Sequence, residues 1–185
     1  MKRFSLLLLS AFLTACSYNA FRPEPETAAI EKPVSAKRSL TPAGYMTDQE
    51  NELKRIVDKT PFRIVRENNI LALILSGKDV FSSPDQALSS DVEQTLKTVA
   101  GILARYEKTR ISIIGYADSG KPAVDRDVSE KRAQTVGDVL KASAKISDVR
   151  FWIEGSSQST PSSLSEDERL KNNHVDIILT PTFIR

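Results

Sequence analysis

The sequence predicts an α/β (α+β) sandwich: a mixed β-sheet with helices packed on one face. Three observations lead there. Short runs rich in β-branched and apolar residues recur around residues 62–66, 70–75, 110–115, 149–154 and 175–179. Two amphipathic stripes with apolar residues three and four positions apart separate the later runs. The resulting order is strand, strand, helix, strand, helix, strand, strand, which suits a sheet layer and a helix layer sharing one core.

The 185 residues divide before the fold begins. Lys2 and Arg3 precede an apolar run from Phe4 to Phe12 that is too short to span a bilayer comfortably, so residues 1–15 read as a signal peptide. Leu13, Thr14, Ala15 and Cys16 resemble a bacterial lipobox, which implies cleavage before Cys16 and acylation of it. Each buried methylene of an acyl chain contributes ~0.8 kcal/mol, so several chains together give stable attachment to a membrane. Ser17 in place of an aspartate is what sorting to the outer membrane would require by the same resemblance. Residues 16–46 carry Pro23, Pro25, Pro33 and Pro42 among charged and small residues and read as a disordered tether. Such a tether spans roughly 30 Å as a coil and about 90 Å in polyproline form.

From residue 47 onward each element has its own warrant. Thr47 and Glu50 have capping-box spacing ahead of Leu53, Ile56 and Val57, which predicts a short helix ending before Pro61. Residues 62–66 and 70–75 read as a hairpin about Glu67, Asn68 and Asn69, the second strand apolar enough to be covered on both faces. Phe81 and Pro84 close the turn that follows. Ser90 and Glu93 form a second capping box, and Val92, Leu96, Val99, Leu103 and Tyr106 make the buried stripe of the next helix. The strand of residues 110–115 ends at Gly115. Ala133, Val136 and Leu140 then mark a helix with Asp127 or Ser129 as N-cap. Val149, Phe151 and Ile153 alternate with Arg150, Trp152 and Glu154, so one strand face meets the core. Residues 156–171 read as a loop, and Val175, Ile177 and Leu179 alternate in the last strand.

Loss of residues 1–15 leaves equal numbers of basic and acidic side chains, which argues against a nucleic-acid partner. Cys16 is the single cysteine, so acylation leaves no thiol for disulfide or metal chemistry. The candidate site is Asp118, just past a strand end, with Arg132 in the helix that follows. Facing each other, these two charges suit the ammonium and carboxylate of an amino-acid head group. An internal Asp118–Arg132 salt bridge is the equally open alternative. A cleft open to solvent, with Asp118 across it from Arg132 and Asp125 turned away, is the geometry that would support ligand binding.

Several residues resemble the OmpA-like domain, the peptidoglycan-associating module of OmpA, MotB and the Pal lipoproteins. Gly115 to Asp118, then Ser129 to Ala133, are similar to its Gly-x-Thr-Asp and Leu-Ser-x-x-Arg-Ala. Phe81 with Leu88, Gly155 with Pro161, and Asn172 to Ile177 match further positions, so the resemblance covers about residues 62–180. It implies that Asp118 and Arg132 grip diaminopimelate of the wall peptide, with Asp125 as a third candidate contact. The physics fits independently: the planar fork of Arg132 suits a carboxylate, and a helix N-terminus adds unpaired N–H groups and partial positive charge there. The sequence departs from the family at Ala117, Asp125, Ser157, Asn173 and His174, and the loop within the motif is one residue short. Small lipoproteins with a reduced domain of this kind resemble subunits of type IV secretion outer-membrane complexes, which gives the alternative of a fold kept for protein contacts.

Other signals carry less. Gly115, Gly120 and Lys121 copy most of a P-loop, but Pro122 lacks the hydroxyl that binds magnesium. His174 is the only histidine, which leaves little scope for a metal site or a catalytic triad. No cofactor and no catalysis are implied.

Overall fold

The computed structural model describes residues 39–76, 80–82, 86–119, 121–157 and 172–183. The signal peptide, Cys16 and residues 17–38 of the expected tether lie outside these residues, as do Pro84, Pro161 and most of the expected 156–171 loop. Helix α1 spans Pro42–Val57, and a hairpin of β1 (Phe62–Glu67) and β2 (Ile70–Ser76) follows. A two-residue pair, β3 (Phe81–Ser82) and β4 (Ala87–Leu88), precedes α2 (Ser90–Arg105). Then come β5 (Thr109–Ala117), α3 (Pro122–Ser143), a 3-10 turn at Asp148–Arg150, β6 (Phe151–Ser157) and β7 (His174–Pro181). The five long strands form one sheet in the order β1-β2-β7-β5-β6, with β5 and β6 parallel and the other neighbours antiparallel. The mixed sheet with helices on one face is as the periodicity predicts.

Strand alternation builds the core. Leu71, Leu73 and Leu75 of β2, Ile111 and Ile113 of β5, and Val175, Ile177 and Leu179 of β7 are all buried beneath the helices. Each such side chain contributes ~1.5–3 kcal/mol through its removal from water. The other face carries Ala72, Ile74, Ile114 and Ile178, which are half-buried, and Trp152, which is exposed. The expectation that the 70–75 strand is covered on both faces is therefore corrected: only one of its faces lies in the core.

Helix starts also differ from the sequence reading. α1 begins at Pro42, with Thr41 as N-cap accepting from the Gly44 N–H, so residues 42–46 belong to the fold and Tyr45 and Met46 are core residues. Thr47 lies inside the helix, where its hydroxyl donates to the Ala43 carbonyl; it caps nothing. α2 starts at Ser90 itself, after Ser89, without a side-chain cap. α3 starts at Pro122, well before Asp127 and Ser129, because proline's fixed φ and missing N–H suit the first helical position. Val149 belongs to the 3-10 turn and is exposed, so the core alternation begins at Phe151.

Two glycines seat α3. A Cβ on Gly115 would lie 2.0 Å from the Ser129 carbonyl oxygen, and one on Gly155 would lie 2.4 Å from the Glu130 nitrogen. These glycines are register partners on β5 and β6, so α3 rides directly on the two strands. Gly115 thus sits within β5, which continues to Ala117, and does not end it. That close approach holds Arg132, one turn beyond Ser129, over the carboxyl end of β5.

Candidate functional site

Asp118 follows the last residue of β5 and is buried. Its carboxylate accepts a hydrogen bond from Asn172 Nδ2 at 3.1 Å. The backbone of Arg132 lies ten residues past the start of α3, roughly 15 Å along the helix axis. The guanidinium donates from Nε to Gln86 Oε1 at 2.8 Å, and from Nη1 to Asn173 Oδ1 at 3.0 Å and to the Tyr116 carbonyl at 3.2 Å. Its carbon lies 5.3 Å from the centre of the Phe81 ring, close enough for a cation–π attraction. Nη2 makes no hydrogen bond among the described residues.

The three hydrogen bonds described for Arg132 go to neutral acceptors and not to Asp118. Asn173 links the two, accepting from Arg132 and donating to the Asp118 carbonyl oxygen at 3.5 Å. Desolvation by burial lowers the pKa of Arg132, while the Asp125 charge opposes that shift. A half-buried cation without a carboxylate in contact attracts an anion more strongly than a solvated one does.

Asp125 itself faces the loop. One carboxylate oxygen accepts from the Ser119 N–H at 2.8 Å and its hydroxyl at 2.5 Å, and the other from the Lys121 N–H at 3.1 Å. It thereby ties the β5–α3 turn to the first turn of the helix, as half of a capping box does. Asp125 acts on Arg132 through space.

Three carboxamides stand against the pair. Gln86 holds Arg132, Asn172 holds the Asp118 carboxylate, and Asn173 touches both residues. Sequence reasoning missed Gln86 in particular, which is buried and has a φ of 55°, a left-handed conformation rare for glutamine. The Asn172–Asn173 pair ahead of the last strand was visible; its connection to Asp118 and Arg132 needed the register of β7 beside β5. Beyond Gln86, a groove of about 550 Å³ runs along the outer side of α3 between Val124, Val128, Lys131 and Gln134. Among the described residues, no group of three or more histidine, cysteine, aspartate or glutamate side chains is placed to hold a metal ion. None of the described helices is long and apolar enough to cross a membrane.

Residues 80–173 match the model of the OmpA family. The Escherichia coli (strain K12) protein named "Probable lipoprotein YiaD" is 28% identical over 139 residues, covering 74% of this chain and 64% of that protein. Among solved structures, a MotB-like protein from Desulfovibrio vulgaris superposes with a TM-score of 0.62 at 18% identity, over 74% of this chain and 94% of its own. The cell wall anchor of the T6SS from Pseudomonas aeruginosa does so at 0.56 and 22%, over 70% and 96%. Both share the fold of the described domain.

Proposed function

We propose, because this chain belongs to the OmpA family, that it is an envelope lipoprotein whose domain binds peptidoglycan without covalent chemistry. Acylated Cys16 anchors it in the outer membrane, the segment from Cys16 to Thr41 gives reach, and the domain faces the periplasm. Arg132 takes the carboxylate of diaminopimelate and Asp118 its ammonium, with Asp125 supplying field and loop geometry. Anchoring an envelope assembly to the wall is the function this serves. The observation that carries the reading is the Arg132 guanidinium: half-buried, held by neutral acceptors, and with Nη2 uncommitted among the described residues.

A second reading keeps the fold for protein contacts within a secretion complex. It is favoured by the exposed Trp152, 60% accessible, on the sheet face that no described helix covers. Sedimentation with purified sacculi separates the two. Wild type is expected in the pellet, and Asp118→Ala and Arg132→Ala in the supernatant. Wild type left in the supernatant would overturn the wall-binding reading in favour of the second. Cys16→Ser is expected to lose acyl labelling and membrane attachment while leaving sacculus binding intact.

A further inference from the structure

We infer that Gln86 is an internal stand-in for the ligand, its side-chain carbonyl occupying the place on Arg132 that one oxygen of an incoming carboxylate takes. The inference rests on the reading of Arg132 as an anion site. A guanidinium has five N–H donors, and planar two-point recognition of a carboxylate uses two neighbouring nitrogens. Nη1 spends both of its hydrogens on Asn173 and the Tyr116 carbonyl, which belong to the sheet and to the segment entering it. Nη2 is uncommitted among the described residues. The two-point edge that remains is therefore Nε with Nη2, and Nε is held by Gln86 Oε1 at 2.8 Å.

Gln86 is built to yield. It lies between β3 and β4, two strands of two residues each, whereas Asn173 immediately precedes the eight-residue β7. Its backbone is in the left-handed region, which a side chain with a Cβ disfavours. Its side chain also lines the open groove beside α3, which gives it somewhere to go. Being neutral, its carboxamide binds the guanidinium more weakly than a carboxylate does. The site is thus closed by a replaceable amide when empty, which keeps Arg132 oriented and its Nε satisfied. A ligand carboxylate then displaces that amide.

Two probes test this: a soluble stem peptide containing diaminopimelate, and sodium acetate as a bare carboxylate. Gln86→Ala removes the competitor and is expected to tighten the stem peptide about fivefold, the equivalent of one intramolecular hydrogen bond. Gln86→Gly, which also relieves the positive φ, serves as the variant that folds without strain and is expected to move the same way. Gln86→Glu places a permanent carboxylate on Arg132 and is expected to weaken the peptide about tenfold or more. In the wild type, acetate is expected to shift the Gln86 side-chain amide resonances together with Arg132 Nε–H. Weaker peptide binding by both Gln86→Ala and Gln86→Gly would overturn the inference while leaving the peptidoglycan reading intact. Acetate shifts that release Gln86 in a protein that ignores the peptide would sink that reading and keep the inference. Absence of any acetate-induced change at Gln86 also overturns it.

Discussion

Arg132 and Arg150 are chemically alike and differently used. Both are half-buried, both have a pKa lowered mainly by desolvation, and neither contacts a carboxylate among the described residues. Arg150 spends every nitrogen. Nε donates to the Thr109 carbonyl, Nη1 to the Leu103 carbonyl, and Nη2 to the Tyr106 carbonyl and the Thr109 hydroxyl. Leu103 and Tyr106 lie at the end of α2, where carbonyls lack helical partners and the helix dipole favours a cation. Arg150 is therefore a structural clamp joining α2, β5 and the start of β6. Arg132 has a similar desolvation cost, but among the described residues its Nη2 has no acceptor. Saturation of donors, and not burial, separates a structural arginine from a binding one.

The sharpest way to break that distinction is to truncate each. Arg132→Ala is expected to weaken stem-peptide binding by about 100-fold, the scale seen when one partner of a buried charge pair is removed from a recognition site. Its unfolding free energy is expected to stay within about 1 kcal/mol of wild type, since amides near the groove can turn to water. Arg150→Ala is expected to do the reverse: binding retained, and stability lowered by ~3 kcal/mol as buried carbonyls are left without charge-assisted donors. Denaturant melts beside peptide titrations check both. Equal destabilisation of the two variants would erase the distinction. Smaller in binding, and intermediate in kind, is Gly115→Ala. Its methyl meets the Ser129 carbonyl, so α3 must lift, with an expected cost of ~1–3 kcal/mol and several-fold weaker binding because Arg132 moves with the helix. Unchanged affinity in that variant would show that Arg132 does not depend on how α3 is seated.

The same distinction explains what the sequence disclosed. Alternation along β6 and β7, and the stripe on α2, place the sheet and its helix layer because burial acts on every second or every third and fourth residue. Asp118 and Arg132 are legible for a related reason: a strand end and the following helix are adjacent in the chain. The helix starts misled. Thr41 with Pro42, and Lys121 with Pro122, are N-cap and first-turn pairs, yet proline reads equally as a tether residue or a breaker. Thr47 and Glu50 have the capping-box spacing, but Glu50 pairs with Lys54 and Arg66 instead. Gln86 and Asn173 reach Arg132 across separations of 46 and 41 residues, and no local period encodes such meetings. Arg150 reads as a solvent-side strand residue until the end of α2 is placed beside it.

A third half-buried charge extends the comparison to a group that can lose its charge. Asp176 stands on the uncovered sheet face between Ile74 of β2 and Ile114 of β5 in the strand register. One of its carboxylate oxygens is buried without a hydrogen bond, and His174 Nε2 lies 3.7 Å from it. Burial raises its pKa, and the charges of His174 and Arg63 only partly offset that. An arginine keeps its proton at any ordinary pH, so its donors must find acceptors in the fold, in water or on a ligand; a carboxyl group can instead take up a proton. The folded state then binds that proton more tightly than the unfolded chain does, and this contribution to stability falls as pH rises above the ordinary carboxylate range. Asp176→Asn is accordingly expected to raise the melting temperature at pH 7, where wild type carries the buried charge. The difference should shrink as pH is lowered toward 4, near the ordinary carboxylate pKa. A melting temperature that falls at neutral pH would mean that the ionised form is held by partners as fully as Arg150 is, and the open face would then be an electrostatically finished surface.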